Sequence, residues 1–393
     1  MPDKIAQIQQ MLRASGLKGW LLYNFQHLNP IALRMAPLPE SSMLSRRWAW
    51  WIPAQGEPAW LVHAIERGQF DATQPVFAYS SWQSFQQALL KLTQGPGPIA
   101  CEYSPDSGIP YVSWVDAGSA EQWRRLGYTL HSSADLIQAI YATWTPVQLQ
   151  SHRQAVQICL DAKTHAFAAI GQRLRAGVAT TELDIQRLIL EDFEAHHLLP
   201  QHAPIVAVNA HAGDPHYTPV PSRNSPIRAG DLILIDLWGK LKTVPDAVFA
   251  DMTWMGYAGP QAPAPMQEVL GIVARARDAG VALVQARVAA GAPVHGWEVD
   301  DVVREVITRA GYGHAFIHRT GHSIDTELHG SGVNIDNLET KDTRQIIPHI
   351  GFSIEPGIYL PDFGVRLEID MYIHADRAEV TTLPLQTAFI QAI

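Results

Sequence analysis

The chain has 393 residues, of which 47% are hydrophobic and 17% are charged. This globular composition excludes collagen-like, coiled-coil and disordered proteins, and the length exceeds that of a usual single domain, so we expect two domains. The formal net charge is −9, and no run of five or more Lys or Arg residues occurs. A surface that follows nucleic-acid phosphates is therefore not expected, and we expect no nucleic-acid partner.

The N-terminal segment and the cysteines bear on location. The stretch "MPDKIAQIQQMLRASGLKGW" alternates polar and apolar residues at helical spacing and lacks the apolar core and cleavage site of a signal peptide. No apolar run approaches the roughly 18 residues of a membrane span. The two cysteines, Cys101 and Cys159, are far apart in the sequence. We therefore expect a cytoplasmic protein without a membrane partner.

Strands and helices alternate in the prediction for the first 140 residues. A helix precedes the apolar strand "GWLLYN", a tryptophan-rich stretch "RRWAWWIP" and the strand "PAWLVH", after which come helical pieces and the run "GPIACEY". This alternation predicts a small α/β domain. Thr145 as N-cap and Pro146 in the first turn then indicate the start of a long helix. We place the boundary just before it, with domains at residues 1–142 and 143–393.

The second domain is predicted to contain helices at both ends of a group of strands. The long helix and the helix "TELDIQRLILEDFEAHH" precede the strands "PIVAVN", "DLILIDLWG" and "VFADMTWMG". Two further helices, at about 264–290 and 297–310, precede a strand-rich end. Helices segregated from mostly antiparallel strands indicate an α+β domain.

Four acids in this domain lie within apolar strands. They are Asp236 in "LILIDLWG", Asp251 in "VFADMTW", Glu355 in "FSIEPG" and Glu368 in "GVRLEID". One buried acid is commonly a hydrogen-bonded core group, but four with a histidine nearby favour a metal site, because buried charges need partners. Oxygen-rich ligation suits ions such as Mn²⁺. Two ions bridged by carboxylates and water would balance the charge and supply a hydroxide near neutral pH, so the composition favours a binuclear hydrolase.

The ordered motifs "LILIDLWG", "FADMTW", "RTGHSID", "IEPGIY" and "GVRLEID" resemble the pita-bread metallopeptidases, which include methionine aminopeptidase, aminopeptidase P and prolidase. The resemblance covers about residues 145–393, and residues 1 to 140 resemble the N-terminal domain of the proline-specific branch in size and coarse pattern. It implies a pita-bread catalytic domain after a smaller α/β domain, with two divalent ions, foremost Mn²⁺, with Co²⁺ or Zn²⁺ as alternatives. The implied ligands are Asp236, Asp251, His322, Glu355 and Glu368.

The same resemblance implies catalytic roles for three residues. His216 in "AGDPHYTP" matches a substrate-side histidine, with a turn residue as the alternative interpretation. His329, seven residues after the ligand histidine, would donate a hydrogen bond to the scissile carbonyl or its oxyanion, with a core histidine as the alternative. Glu355 would shuttle a proton from the nucleophile to the leaving nitrogen. Two positions depart from the family pattern, Ser323 after the ligand histidine and Gly330 where an acid is frequent.

Other polar residues receive weaker interpretations. His318 and Arg366 are candidate substrate-binding residues. His318 is expected to support the site, and Arg366 to pair with a ligand carboxylate or else to be a surface arginine. Arg46 and its neighbour Arg47 are predicted to bind a substrate carboxylate, in the site of their own or of a neighbouring subunit, or else to form a solvated pair. A local group of histidines with no matching acids is interpreted as solvated, namely His196, His197, His202 and His211.

Spacing alone leaves two choices for the second aspartate ligand. The family usually spaces its two aspartates more closely than 236 and 251, which favours Asp246. However, Asp246 lies in "KTVPDAV", whose Pro-Asp pair is a turn signal, so we place it at a hairpin tip and choose Asp251. Pairing of residues 232–239 with 248–255 would set Asp236 directly opposite Asp251, which is tolerable only with cations between them.

By this resemblance the chain is a metal-dependent exopeptidase that hydrolyses Xaa-Pro dipeptides, a prolidase, through a hydroxide bridging two metal ions. The alternative is an Xaa-Pro aminopeptidase, aminopeptidase P, acting on longer peptides. A metal-free creatinase-like hydrolase and a non-catalytic binding module are weaker alternatives, because the ligand set is complete. The expected partners are a small peptide with proline in second position and a second copy of the chain. The aromatic residues of the tryptophan-rich stretch belong either to the core or to a dimer surface, and since large exposed apolar patches usually mark contacts we expect a homodimer.

Overall fold

The computed structural model describes residues 2–38, 44–70 and 73–393. The chain divides into two units, the first ending at Ile140 and the second spanning Tyr141–Ile393. Within the described ranges no helix has both the length and the apolar character needed to cross a membrane.

The first unit contains a six-stranded mixed sheet with helices. Its elements are α1 (Pro2–Ala14), β1 (Gly19–Asn24), α2 (Pro30–Met35), β2 (Trp48–Pro53), β3 (Ala59–His63), β4 (Val76–Tyr79), α3 (Trp82–Leu92), β5 (Pro98–Cys101), α4 (Ala117–Arg125), β6 (Thr129–Ser132) and α5 (Ala134–Ile137). The strand order is β4-β3-β2-β1-β5-β6. Strands β1, β2 and β3 pair in antiparallel fashion, and the outer pairings are parallel. This is the α/β arrangement that the alternating pattern predicts.

The tryptophan-rich stretch belongs to the core of this unit. Strand β2 pairs along its length with β1, and its residues Trp48, Trp50 and Trp51 are at most 4% exposed. Trp50 stacks on Trp60 of β3, with ring centroids 5.6 Å apart. Because these rings are buried within the unit, they do not form an exposed contact surface, and this stretch gives no support to the predicted homodimer.

The second unit combines four helices with two main sheets and a hairpin. Its elements are α6 (Pro146–Arg175), α7 (Glu182–Ala195), β7 (Leu198–Leu199), β8 (Ile205–Val208), β9 (Leu232–Leu241), β10 (Ala250–Tyr257), α8 (Ala264–Ala289), α9 (Gly296–Arg309), β11 (Ser323–Ile324), β12 (Gly351–Ile354), β13 (Gly357–Tyr359), β14 (Gly364–Arg366), β15 (Ile369–Ile373), β16 (Ala378–Val380) and β17 (Ile390–Gln391). One sheet has the order β17-β10-β9-β7, with β8 also on β9, and the other has the order β11-β12-β15-β16. The predicted α+β class is confirmed.

Helix α6 begins at the predicted signal. The side chain of Thr145 accepts a hydrogen bond from the backbone N–H of Gln148, the Gln148 side chain accepts one from the Thr145 N–H, and Pro146 occupies the first turn. This reciprocal cap satisfies N–H groups that have no partner within the helix. The helix then packs along β9 and β10, the two strands that carry the predicted aspartate ligands.

The register of the β9–β10 pair differs from the prediction. Asp236 lies opposite Thr253, and Asp251 lies opposite Trp238, so the expectation that Asp236 and Asp251 face each other directly is wrong. The shift is two residues, which preserves the alternation of side chains between the faces of the sheet. Asp236, Asp251 and Thr253 therefore share one face, with the two acids as diagonal neighbours.

The shift arises at the connection between the two strands. The last β9–β10 pair joins Gly239 to Ala250, whereas β9 continues to Leu241 and pairs there with β7 on its other edge. The chain returns through an irregular segment, and Asp246 lies there, exposed and in the left-handed region with φ of 53°. Asp246 is thus at the turn, as the Pro-Asp signal predicts.

Candidate metal centre and active site

The five predicted metal ligands all lie on or beside strands of the second unit. They are Asp236 on β9, Asp251 on β10, His322 before β11, Glu355 after β12 and Glu368 before β15. All except Glu355 are at most 7% exposed, and Glu355 is half-buried. The apolar residues on either side of each acid form the core strands, so each strand carries its carboxylate into the interior.

These five side chains converge. His322 Nε2 lies 3.4 Å from Asp251 Oδ2 and 3.5 Å from Glu355 Oε1. Ligand atoms of Asp251, His322 and Glu368 lie within 4.8 Å of one another. The Thr253 hydroxyl lies 3.0 Å from a carboxylate oxygen of Asp236 and 2.7 Å from one of Glu368, which joins Asp236, the fourth acid, to the group.

The hydrogen bonds of His322 leave one nitrogen available to a cation. Its Nδ1 lies 3.1 Å from the carbonyl oxygen of Ser323, which can only accept, so Nδ1 carries the proton. The lone pair of Nε2 then points toward Asp251 and Glu355. A neutral imidazole held in this tautomer is the usual form of a histidine that binds a metal.

The concentration of negative charge has a clear electrostatic signature. Burial raises the pKa of Asp251 and of Glu368 well above the usual carboxyl range, and the neighbouring carboxylates raise both further. Burial also lowers the pKa of His322. Divalent cations would compensate this charge. Four carboxylates with one imidazole nitrogen form a donor set that suits hard or borderline divalent ions, so the residues present fit such ions.

Arg366 lies within this group rather than on the surface. Its guanidinium is 4% exposed and donates from Nη2 to Asp236 Oδ2 at 2.5 Å and from Nε to the Thr253 hydroxyl at 3.0 Å. Its Nη1 donates to the Tyr359 hydroxyl at 3.2 Å. One fixed cation thus offsets part of the acid cluster and holds Asp236 in place.

His318 lies behind Tyr359. Its Nδ1 donates to the carbonyl of Arg319 at 2.7 Å, and its Nε2 accepts from the Tyr359 hydroxyl at 2.7 Å. The pKa of His318 is lowered to about 3, first by burial and then by the charge of Arg366. The imidazole is therefore neutral and supports Tyr359, which in turn contacts Arg366.

His329 and His216 are both exposed. The ring of His329 packs edge-on against that of His322, with centroids 4.4 Å apart, although the residue remains exposed. Its pKa is lowered to about 3, first by desolvation and then by the charges of His322, Arg319 and His216. His216 is exposed, and its backbone N–H donates to Asp214 at 3.2 Å. The structure brings the two histidines into electrostatic range of each other.

Arg46 and Arg47 belong to the first unit. Arg46 is exposed and Arg47 is half-buried, and both line a cavity of about 680 Å³ together with Tyr23 and Tyr79. The Arg47 guanidinium also lies 4.5 Å above the ring of Phe85. Their neighbourhood is thus aromatic, as the adjacent tryptophan-rich stretch suggests.

One interpretation of the remaining histidines is wrong. His196, His197 and His202 are exposed, as predicted. His211 is instead half-buried, with Nδ1 2.9 Å from Glu182 Oε1. Glu182 is fully buried although it begins helix α7, a position where sequence alone suggests a solvated acid. Tertiary packing buries it, and His211 satisfies part of its hydrogen-bonding capacity.

Three residues that the sequence interpretation did not assign also contact the cluster. Ser353 accepts from the His322 N–H at 3.0 Å and donates to Glu355 Oε1 at 3.0 Å. Asp370 accepts from the Asp251 N–H at 2.8 Å, and Tyr359 bonds to Arg366. Period-two alternation was an available signal for two of them, since Ser353 precedes Glu355 by two residues and Asp370 follows Glu368 by two.

A family model and curated relatives match the part of the chain that holds this cluster. The model described as metallopeptidase family M24 matches residues 150–375, which is more than half of the chain. An Xaa-Pro dipeptidase from Lactobacillus helveticus is 30% identical over 202 residues, which cover 51% of this chain and 47% of that protein. A probable dipeptidase PepE from Mycobacterium bovis is 28% identical over 226 residues, 56% of each chain. The matched part spans about half the length of these relatives.

Solved structures match over nearly the whole chain. Dipeptidase PepE from Mycobacterium ulcerans has a TM-score of 0.71 at 19% identity, covering 100% of this chain and 97% of that one. X-prolyl aminopeptidase from Caenorhabditis elegans, described as a cytosolic enzyme with a di-nuclear active site, has a TM-score of 0.65 at 17% identity, covering 98% and 62%. At these identities the likeness establishes the fold, which is the pita-bread architecture that the motifs imply.

Proposed function

We infer a function from one premise: the chain belongs to metallopeptidase family M24. We propose that it is a metallo-exopeptidase that hydrolyses the bond between an N-terminal residue and proline, with Xaa-Pro dipeptides as substrates. The observation that carries the proposal is the buried convergence of Asp251, His322 and Glu368 within 4.8 Å. The Xaa-Pro dipeptidase from Lactobacillus helveticus, similar over half of this chain, supports the substrate class.

The family and the buried acid cluster support the use of divalent metal. We propose that two ions bind, foremost Mn²⁺, with Co²⁺ or Zn²⁺ as alternatives, and that the five residues predicted from the motifs hold them. Bound ions of this kind polarise a carbonyl oxygen and make water a nucleophile near neutral pH. The proposed ligands are Asp236, Asp251, His322, Glu355 and Glu368.

Glu355 is the acid best placed to move protons in this scheme. Its side chain is 16% exposed, compared with 5% for Asp251 and 9% for Asp236, so it alone of these three has substantial access to a reacting group. Ser353 fixes one of its oxygens by donating a hydrogen bond at 3.0 Å. Glu355 would accept a proton from the attacking water and deliver it to the nitrogen of proline, which leaves as an amine.

His329 is proposed to stabilise the oxyanion that develops on the scissile carbonyl. The imidazole is accessible to a substrate and neutral, since its pKa is lowered to about 3. A neutral ring can donate one N–H to the oxyanion, and the packing against His322 holds it in place before the substrate arrives. His216, which is also exposed and acts electrostatically on His329, would contact the substrate.

Arg366 and His318 act through their neighbours in this proposal. Arg366 orients Asp236, and His318 orients the Tyr359 hydroxyl that contacts Arg366. Arg46 of the first unit is the proposed contact for the free carboxylate of a dipeptide in the site of a neighbouring copy, because an exposed guanidinium can form two parallel hydrogen bonds with it. The homodimer predicted from the sequence stays a prediction.

Metal removal is the experiment that tests this function. Exhaustive chelation should abolish hydrolysis of an Xaa-Pro dipeptide, and Mn²⁺ or Co²⁺ should restore it. The acid cluster provides only the metal ligands, and water becomes a nucleophile near neutral pH only when a metal ion is bound. Elemental analysis of the chelated protein confirms that the metal has left. Full activity in metal-free protein would instead favour a creatinase-like reaction.

A further inference from the structure

The loop 326–331 carries His329 and contains no regular secondary structure. It follows β11, which ends at Ile324, and Asp325 lies at its start. An irregular loop holds a single conformation only when its backbone N–H groups find partners outside the helix and strand ladders. Whatever supplies those partners here decides where the imidazole of His329 lies.

The carboxylate of Asp325 supplies two of them. Asp325 is 1% exposed, and its Oδ1 accepts from the Glu327 N–H at 2.8 Å while its Oδ2 accepts from the Ser331 N–H at 2.8 Å. These two amides lie on either side of His329 in the sequence, so one side chain joins both ends of the loop. Hydrogen bonds to an ionised carboxylate are about twice as strong as neutral ones.

Gly330 leaves the space that this carboxylate occupies. A Cβ at position 330 would lie 2.9 Å from Asp325 Oδ2 and 2.9 Å from Ser323 Oγ, both closer than side chains normally approach. The Gly330 N–H meanwhile donates to the Ser323 carbonyl at 2.7 Å. The residue after His329 therefore has no side chain because the buried acid fills its place.

We propose that Asp325 is a positioning residue for the reaction, acting through the loop that it closes. Its carboxylate holds residues 327 and 331 so that His329 packs against His322 with 4.4 Å between the ring centroids. The inference rests on the proposed function of His329, and a displacement of such a group by about 1 Å can cost about 10²-fold in rate.

Two variants and one control test the proposal. Asp325→Ala removes the acceptor, and Gly330→Ala displaces it without deleting a polar group, which keeps the test open if the first variant fails to fold. Asp336→Ala is the matched control, since Asp336 is also fully buried and accepts from three backbone N–H groups in a loop with none of the proposed site residues. All three substitutions should lower the melting temperature of the protein, because each disturbs buried hydrogen bonds.

The kinetic readout separates positioning from folding. In the metal-loaded enzyme, Asp325→Ala and Gly330→Ala should each lower kcat on an Xaa-Pro dipeptide by about 10 to 10²-fold. KM should change by less than about threefold, and the metal content should equal that of the wild type. Asp336→Ala should retain the wild-type kcat. Wild-type kcat in both Asp325→Ala and Gly330→Ala, or an equal loss in the control, would overturn the proposal.

A second readout needs no activity. In metal-free, ¹⁵N-histidine-labelled full chain, the imidazole signals of His329, assigned through His329→Gln, should shift in Asp325→Ala and Gly330→Ala but not in Asp336→Ala. Unshifted signals in both variants contradict the positioning role. If the wild-type protein lacks peptidase activity, the proposed function fails, while these signals still decide whether Asp325 fixes the loop.

Discussion

The imidazole of His329 packs edge-on against that of His322, with ring centroids 4.4 Å apart and planes at 89°. The two rings differ in surroundings, because His322 is buried with Nε2 3.4 Å from Asp251, whereas His329 is exposed. The short segment 322–329 thus carries one imidazole suited to bind a cation, that of His322, and one accessible to a substrate, that of His329. This arrangement supports the proposed division of roles between them.

His329→Ala should lower kcat without releasing metal. Removing one donor to a developing oxyanion typically costs about 10² to 10³ in kcat. The buried ring of His322 and the acids around it remain, so metal content by elemental analysis should equal that of the wild type. His314→Ala, at an exposed histidine of the same unit, controls for loss of an imidazole. Loss of metal in His329→Ala would make this residue a ligand.

Asp251→Asn should reduce metal stoichiometry and activity together, whereas Asp246→Asn should resemble the wild type. Asp251 is 4% exposed and lies 3.4 Å from His322, so an amide there removes the charge of a proposed ligand. Asp246 is exposed at a turn with φ of 53°. Both variants remove one negative charge, so each is the control for the other. If Asp246→Asn lost metal and activity and Asp251→Asn did not, Asp246 would be the ligand and Asp251 would not.

The burial of Asp236, Asp251 and Glu368 could be predicted from the sequence, but the strand register could not. An acid within an apolar strand is recognisable because its neighbours predict burial, and burial requires a partner. The register depends on where β10 begins to pair with β9 after the irregular segment 242–249, and the sequence pattern does not fix how many residues that segment takes. The prediction failed by two residues, and the shared face of Asp236 and Asp251 survived because alternation has a period of two.

Tertiary burial of helix ends was the other feature beyond sequence reasoning. Glu182 in the first turn of α7 has the pattern of a solvated acid, yet it is fully buried and bonded to His211 and Tyr217. The helix start at Thr145 was predictable because its cap involves residues only three apart. Local hydrogen bonds can be read from sequence, whereas contacts that depend on packing of distant segments cannot.

Xaa-Pro dipeptides should be cleaved with a higher kcat/KM than Xaa-Pro-Xaa tripeptides. Only the dipeptide has a free carboxylate on proline, and the exposed guanidinium of Arg46 is the proposed partner. Arg46→Gln should therefore raise KM for the dipeptide and leave the tripeptide unchanged, with Arg125→Gln, exposed in the same unit, as the control. A tripeptide preference of about tenfold or more would identify an aminopeptidase P activity instead.

In the first unit, Glu102 should make the stability of the protein fall as pH rises from about 4.5 to about 7. The carboxyl is fully buried, and burial raises its pKa from 4.5 to about 7, although Trp20, Asn29 and Ser133 donate hydrogen bonds to it. Between these values the unfolded chain loses the proton while the folded chain keeps it, which favours unfolding as pH rises. Over this window of 7 minus 4.5 pH units the loss is about 3 kcal/mol.

The free energy of unfolding of the full chain, measured with urea from pH 4.5 to 8 for the wild type and for Glu102→Gln, tests this expectation. The glutamine cannot ionise. The free energy of unfolding of the variant minus that of the wild type should therefore rise by about 3 kcal/mol between pH 4.5 and about 7 and stay constant above pH 7. Only the pH dependence of this difference tests the expectation. The side-chain NH₂ group of the introduced glutamine would face three hydrogen-bond donors, so the substitution lowers the free energy of unfolding at every pH. Glu121→Gln, at an exposed position of the same unit, controls for the removal of one negative charge. A difference independent of pH would show that Glu102 is ionised in the folded protein throughout this range.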